Sequence, residues 1–179
     1  MRKALLVLGI CILAVPAWAG GGYSLFGTWS EINEDASAPG AGMRVSIGGK
    51  NWVGDLTWTW LQSQEDVETF AGYEDKVQVI PTDLGVRYLF NTQGSFKPYI
   101  GAGATFFYVN VNDGDADNTF GGYAVLGFSL GQTQTRFFAE ATYRYGSTDV
   151  TYRSNPTDVV SGSMDVGGFG VNAGVVWAF

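Results

Sequence analysis

The chain has no histidine and one cysteine among its 179 residues. Without histidine it lacks the side chain that titrates near neutrality, on which general-base and triad chemistry most often relies. The single thiol, Cys11, lies inside an apolar N-terminal run, so the rest of the chain has no disulfide and no thiolate nucleophile. Charge is scarce as well, at 15%, where a soluble domain carries about 25%. Beyond the N-terminus no apolar run approaches the roughly 20 residues of a transmembrane helix. What is abundant is glycine, 26 residues, and aromatics, 15%. Glycine and aromatics without long apolar runs suit a strand-rich protein with one apolar face per strand.

The N-terminus reads "MRKALLVLGICILAVPAWAG". Arg2 and Lys3 precede an apolar stretch from Ala4 to Val15, then Pro16 and the triplet Ala17-Trp18-Ala19. That order is expected of a secretory signal peptide over residues 1–19, cleaved after Ala19, leaving a single domain over 20–179. The alternative is an uncleaved anchor, disfavoured by the short apolar run and the placement of the A-x-A site. A lipoprotein signal needs a small residue before the cysteine, and Ile10 stands there. Loss of Arg2 and Lys3 leaves eight basic residues of the original ten against 17 acidic ones, a formal charge of −9. That balance argues against a nucleic-acid partner.

The remaining sequence divides into eight alternating runs: 22–31, 41–48, 51–61, 77–90, 98–110, 119–130, 136–146 and 166–179. Strict alternation over such lengths is the signature of strands with one apolar face. In the third run Trp52, Leu56, Trp58 and Trp60 oppose Asp55, Thr57 and Thr59. In the fourth, Ile80, Leu84, Val86, Tyr88 and Phe90 oppose Asp83, Gly85 and Arg87. In the seventh, Phe137, Ala139, Ala141, Tyr143 and Tyr145 oppose Arg136, Glu140, Thr142 and Arg144. The last run ends "VNAGVVWAF", with Phe169, Val171, Ala173, Val175, Trp177 and Phe179 on one face and Gly170, Asn172 and Gly174 on the other.

Runs of this length match the 9–11 residues that a tilted strand needs to cross a bilayer. The connectors alternate between short (49–50, 91–97, 131–135) and longer or acidic (32–40, 62–76, 111–118, 147–165). This pattern predicts an all-β fold, an eight-stranded antiparallel up-and-down transmembrane barrel. Its termini lie at the short-turn end, and the first and last strands pair, because lipid offers no partner to a free strand edge. Fourteen of the 17 acids fall in or beside the long connectors. The other three, Asp55, Asp83 and Glu140, sit on polar strand faces, as do Arg44, Arg87 and Arg144. A Lys or Arg facing lipid at mid-bilayer would cost about 2–4 kcal/mol, and this arrangement exposes none.

Three acids and three arginines inside a narrow tube balance, and an eight-stranded barrel is just wide enough for side chains to fill it. An interior ion-pair network of Arg44, Asp55, Asp83, Arg87, Glu140 and Arg144 is therefore expected, because paired buried charges are tolerated where single ones are not. Its readings are a plug that specifies the fold, which barrel size favours, or a polar pore. Inward glycines (Gly101, Gly103, Gly121, Gly127, Gly170, Gly174) would leave room for bulky neighbours. Trp52, Trp60, Tyr88, Phe90, Phe106, Tyr108, Tyr143, Tyr145, Trp177 and Phe179 cluster toward run ends, as expected of two aromatic girdles at the membrane interfaces.

"LGVRYLF" (84–90), "KPYIGAGATF" (97–106), "FFAEATYRYG" (137–146) and the terminal Phe179 together resemble the small outer-membrane β-barrel family that includes OmpA-type and OmpX-type barrels. The "PYIGAG" segment is also similar to OmpW-like barrels, so that sister group stays open. The resemblance spans the chain after the signal peptide. It implies a bacterial outer-membrane location, contact with lipid and lipopolysaccharide, and a C-terminal strand (Val175, Trp177, Phe179) that resembles the signal read by the outer-membrane assembly machinery. Familiar enzymes among small barrels use a histidine base, so the chain is not expected to be an enzyme, and no cofactor is implied. "NDGDADN" (112–118) has the D-x-D-x-D spacing of a calcium loop in Asp113, Asp115 and Asp117, but Asn118 and Ala124 stand where the EF-hand needs Gly and Glu. It reads as a solvated acidic loop; a weaker reading is divalent cations bridging that rim to lipopolysaccharide phosphates. The expected function is structural or surface-interacting, with a narrow channel or a small hydrophobic-molecule transporter as the alternative.

Overall fold

The computed structural model describes residues 21–33, 36–63, 67–70, 73–75, 77–90, 93–111, 115–155 and 158–178, and its regular elements are all strands. In chain order these are β1 (Gly21–Asn33), β2 (Ala36–Gly48), β3 (Trp52–Gln62), β4 (Val67–Phe70), β5 (Tyr73–Asp75), β6 (Val77–Leu89) and β7 (Phe96–Val111). There follow β8 (Asp115–Ala116), β9 (Thr119–Leu130), β10 (Thr135–Tyr145), β11 (Ser147–Asn155), β12 (Asp158–Asp165) and β13 (Gly168–Ala178). Eight of them close into an antiparallel barrel in the order β1-β13-β10-β9-β7-β6-β3-β2. Closure is made by β1 against β13, in register from Gly22↔Ala178 to Ser30↔Gly170. Every barrel strand thus has two neighbours, which satisfies the backbone where lipid cannot.

The eight barrel strands overlay the eight alternating runs, with extensions at the long-connector end. The expected connector over 32–40 is mostly strand: β1 continues to Asn33, β2 begins at Ala36, and the two stay paired from Gly21↔Ile47 to Asn33↔Ala36. The other expected long connectors also carry strand. β4 pairs with β5, and β11 pairs with both β12 and β8. Backbone groups rising above the wall bond to one another instead of standing open, as hydrogen-bond satisfaction demands.

Side chains alternate between two environments, as period-two geometry requires. Outward positions are apolar and open: Phe137, Leu84 and Leu126 are 67%, 65% and 63% exposed. Bands of large exposed side chains on the eight barrel strands exceed what a water-soluble monomer carries and match the apolar belt of a membrane barrel. Inward positions are largely buried and hold Arg44, Asp55, Asp83, Arg87, Glu140 and Arg144. The turns after β2, β6 and β9 and both strand termini Gly21 and Ala178 lie at one end, which short turns mark as periplasmic.

Candidate functional site

The barrel interior is built in layers. In the layer nearer the turns, Arg44 on β2 meets Glu140 on β10: Nη1 donates to Oε2 at 3.0 Å, and Nη2 donates to Oε1. Both side chains are almost fully buried. The remaining capacity of the pair is used locally. Arg44 Nε donates to Thr57 Oγ1 at 3.0 Å, Tyr99 OH donates to Glu140 Oε2 at 2.7 Å, and Asn172 Nδ2 donates to Glu140 Oε1 at 2.9 Å. The guanidinium also lies 5.7 Å and 5.5 Å from the ring centres of Phe26 and Phe138, within reach of cation–π attraction. Beside it, Arg87 on β6 donates through Nε and Nη2 to Asp55 on β3, and Nη2 also donates to Ser46 Oγ at 3.1 Å. Ser46 Oγ in turn donates to Asp55 Oδ1 at 2.6 Å. Arg87 stacks 4.7 Å from the ring centre of Tyr99, so Tyr99 joins the two pairs.

Nearer the loops, Arg144 on β10 reaches Asp83 on β6, with Nη2 donating to Oδ2 at 2.8 Å and Nε to both oxygens at 3.2 Å. Thr105 Oγ1 donates to Asp83 Oδ1 at 2.7 Å. The six charged residues expected in the interior therefore meet there as three arginine–carboxylate pairs in two tiers. Bidentate geometry and extra hydrogen bonds are what a buried pair needs to offset desolvation.

Glycine makes the room. A Cβ on Gly101 would stand 2.6 Å from Arg87 Cγ, and one on Gly127 would stand 2.6 Å from Glu140 Cβ and 2.8 Å from Tyr99 Cζ. All three distances are far inside van der Waals contact.

Above the second tier the interior changes character. Ile32, Leu61, Val77, Val79, Phe107 and Val109 point inward and pack with Val150, Met164 and Val166. Phe107 and Val150 are fully buried. Val150 and Met164 come from the β11–β12 hairpin, so part of the connector expected to be a loop belongs to an apolar core at the barrel's outer end. The polar and glycine inward positions expected from the sequence give way here to an apolar layer. Its signal was present: Leu61 follows Thr57 and Thr59 on the inward parity, and Val77 and Val79 precede Asp83 on theirs. On the wall beside this core, a cavity of about 520 Å³ is lined by Glu31, Tyr143, Arg144, Gly146, Gly167 and Gly168, among others. Gly167 and Gly168 adopt φ of +117° and +131°, values that residues with a Cβ rarely reach. The Phe169 N–H donates to the Glu31 carboxylate at 2.7 Å across this notch.

The other sequence-derived positions fall as follows. Trp52, Trp60, Phe90, Tyr108, Tyr143, Tyr145 and Trp177 are all outward and exposed. Tyr88 is half-buried between Trp52, at 5.0 Å between ring centres, and Phe90, at 5.2 Å. Phe106 packs 5.0 Å from Phe120. Val175 is half-buried on the outer parity of β13. Phe179, residues 1–19, Asp113 and the side chain of Asp115 lie outside the described residues. Asp117 is exposed, and its backbone N–H donates to the Asp149 carbonyl at 3.0 Å.

Comparison with known proteins agrees with this architecture. Residues 57–132 match the OmpW family. The crystal structure of the outer membrane protein OprG from Pseudomonas aeruginosa superposes with a TM-score of 0.75 at 16% identity, covering 90% of this chain and 96% of that one. Neisserial surface protein A gives a TM-score of 0.60 at 19% identity, covering 89% and 96%. The solid-state NMR structure of outer membrane protein AlkL gives 0.57 at 15%, covering 90% and 88%. No curated protein sequence matches significantly. The chain is an outer-membrane β-barrel of the small eight-stranded type.

Proposed function

We propose that this protein is a non-enzymatic outer-membrane barrel closed along its axis, acting through its outer wall and its acidic outer end. The observation that supports this reading is the layering of the interior. Two tiers of bidentate arginine–carboxylate pairs cross the tube, and a packed apolar cluster lies above them. An ion moving along the axis would have to part buried pairs, and breaking one costs about 3–5 kcal/mol. Planar-bilayer recording of the purified barrel tests the reading: the expected trace has no discrete conductance steps, and regular steps sink it. The acidic rim would meet lipopolysaccharide with divalent cations between them, as hard cations prefer oxygen ligands.

A second reading is favoured by one feature, the juxtaposition of the apolar outer interior with the wall notch at Gly146, Gly167 and Gly168. A small hydrophobic molecule would enter the apolar mouth and leave sideways into the membrane without crossing the ion pairs. Uptake of a hydrophobic dye into barrel-containing vesicles, faster than into empty ones and without ion conductance, would select this reading over the first.

A further inference from the structure

The periplasmic end holds a feature that neither the plug nor the wall notch uses. A cavity of about 430 Å³ opens among the turns and reaches up to the first tier of ion pairs. Five basic side chains line it: Lys50, Lys97 and Arg136 toward the turns, and Arg44 and Arg87 at its floor. No Asp or Glu is among the described residues that line it. The floor arginines are already matched by Glu140 and Asp55. Among the described residues, Lys50, Lys97 and Arg136 have no ion-pair partner.

The sequence explains the imbalance. The segments 49–51, 90–95 and 131–134 contain no acid at all, while acids crowd the opposite end. Lys50 follows β2, Lys97 opens β7 and Arg136 opens β10, so three turns deliver one cation each to one mouth. Arg136 is held there, with Nε donating to the Thr133 carbonyl at 3.2 Å. Like charges gathered round a concave site raise the local potential and concentrate anions.

We propose that this cavity is a binding site for a phosphate monoester group presented at the periplasmic face. Three cations with no ion-pair partner among the described residues, brought together from three turns, suit a group with three acceptor oxygens and a charge near −2, which is what a phosphate monoester carries. A carboxylate offers one charge and two oxygens. The volume lies within the range of small-molecule pockets, which leaves space for the remainder of the ligand beneath the rim. The group can come from a soluble sugar or glycerol phosphate or from a lipid headgroup of the inner leaflet; the chemistry at the rim is shared.

Isothermal titration of glycerol 3-phosphate into the purified barrel, held in a phosphate-free detergent, tests the proposal, with glycerol as the control. The expected result is saturable binding that glycerol lacks. Binding weakens as salt rises from about 50 to 500 mM, as screening of exposed charges requires. The Lys50→Ala/Lys97→Ala/Arg136→Ala variant weakens it at least about tenfold through loss of charge-assisted bonds. Heat-modifiable gel migration reports whether that variant folds. Should it not fold, Lys50→Gln and Lys97→Gln are titrated singly, and each is expected to weaken binding. No binding beyond glycerol, or binding unchanged in the folded variants, overturns the site. Repeating the titration in nanodiscs with phosphatidic acid, against phosphatidylserine at matched surface charge, separates the sources. Competition by phosphatidic acid supports a lipid ligand at the site, and unchanged affinity supports a soluble one.

Discussion

Arg44 and Glu140 lie 96 positions apart in sequence and three strands apart around the wall, yet their side chains meet in a two-point ion pair inside the barrel. Each is also tied to its surroundings, Arg44 to Thr57 and Glu140 to Tyr99 and Asn172. Removing one partner strands the other in a buried place. Arg44→Met or Glu140→Leu alone is expected to destabilise the barrel by about 3–5 kcal/mol, and the double variant by clearly less. Urea unfolding in lipid vesicles, followed by tryptophan fluorescence, measures both. A double variant as damaged as the sum of the singles would show that the pair itself is not what matters.

Two glycines on neighbouring parities should behave oppositely. Gly127→Ala places a methyl 2.6 Å from Glu140 Cβ, whereas Gly27→Ala points into open space with nothing within 4 Å. The first is expected to cost about 1–3 kcal/mol through overpacking. The second is expected to be neutral. Equal effects in the same unfolding assay would contradict the assignment of Gly127 to the interior.

The apolar outer layer makes its own prediction. Phe107 is fully buried in the cluster with Val79, Val109 and Val150. Phe107→Ala is expected to cost about 3–5 kcal/mol. Because Val150 and Met164 pack on the same cluster, the β11–β12 hairpin should also become cleavable by added protease. A hairpin as resistant as in the parent would mean that the cluster does not hold it.

Leu84 tests the outer wall. It is 65% exposed on the face opposite Asp83. Leu84→Arg is expected to destabilise the vesicle-inserted barrel by about 2–4 kcal/mol near mid-bilayer, while Leu84→Ala should cost much less. Similar costs for Arg and Ala would place that face outside the hydrocarbon.

The C-terminal strand is expected to carry the assembly signal. Deleting Phe179 should lower the yield of heat-modifiable barrel in the outer membrane more than it alters the stability of refolded protein. Unchanged yield in cells expressing the deletion would remove that role.

The strands above the wall were not legible in the amino-acid pattern by itself, whereas the eight barrel strands and their inner and outer faces were. Those are local properties: alternation has period two, and a charge facing lipid is too costly to be hidden in the pattern. Asp55, Asp83, Glu140 and the three arginines could be placed inside for that reason alone. Closure of the barrel assigned Glu140 to Arg44, Asp55 to Arg87 and Asp83 to Arg144, because pairing across a tube depends on strand tilt and stagger, which no single strand encodes. It also decided that Leu61, Val77, Val79 and Phe107, scattered over three strands, form one apolar core with a hairpin expected to be a loop. And it brought Lys50, Lys97 and Arg136, one from each short turn, around a single mouth: the turns are far apart in the chain, and only closure of the barrel makes them neighbours.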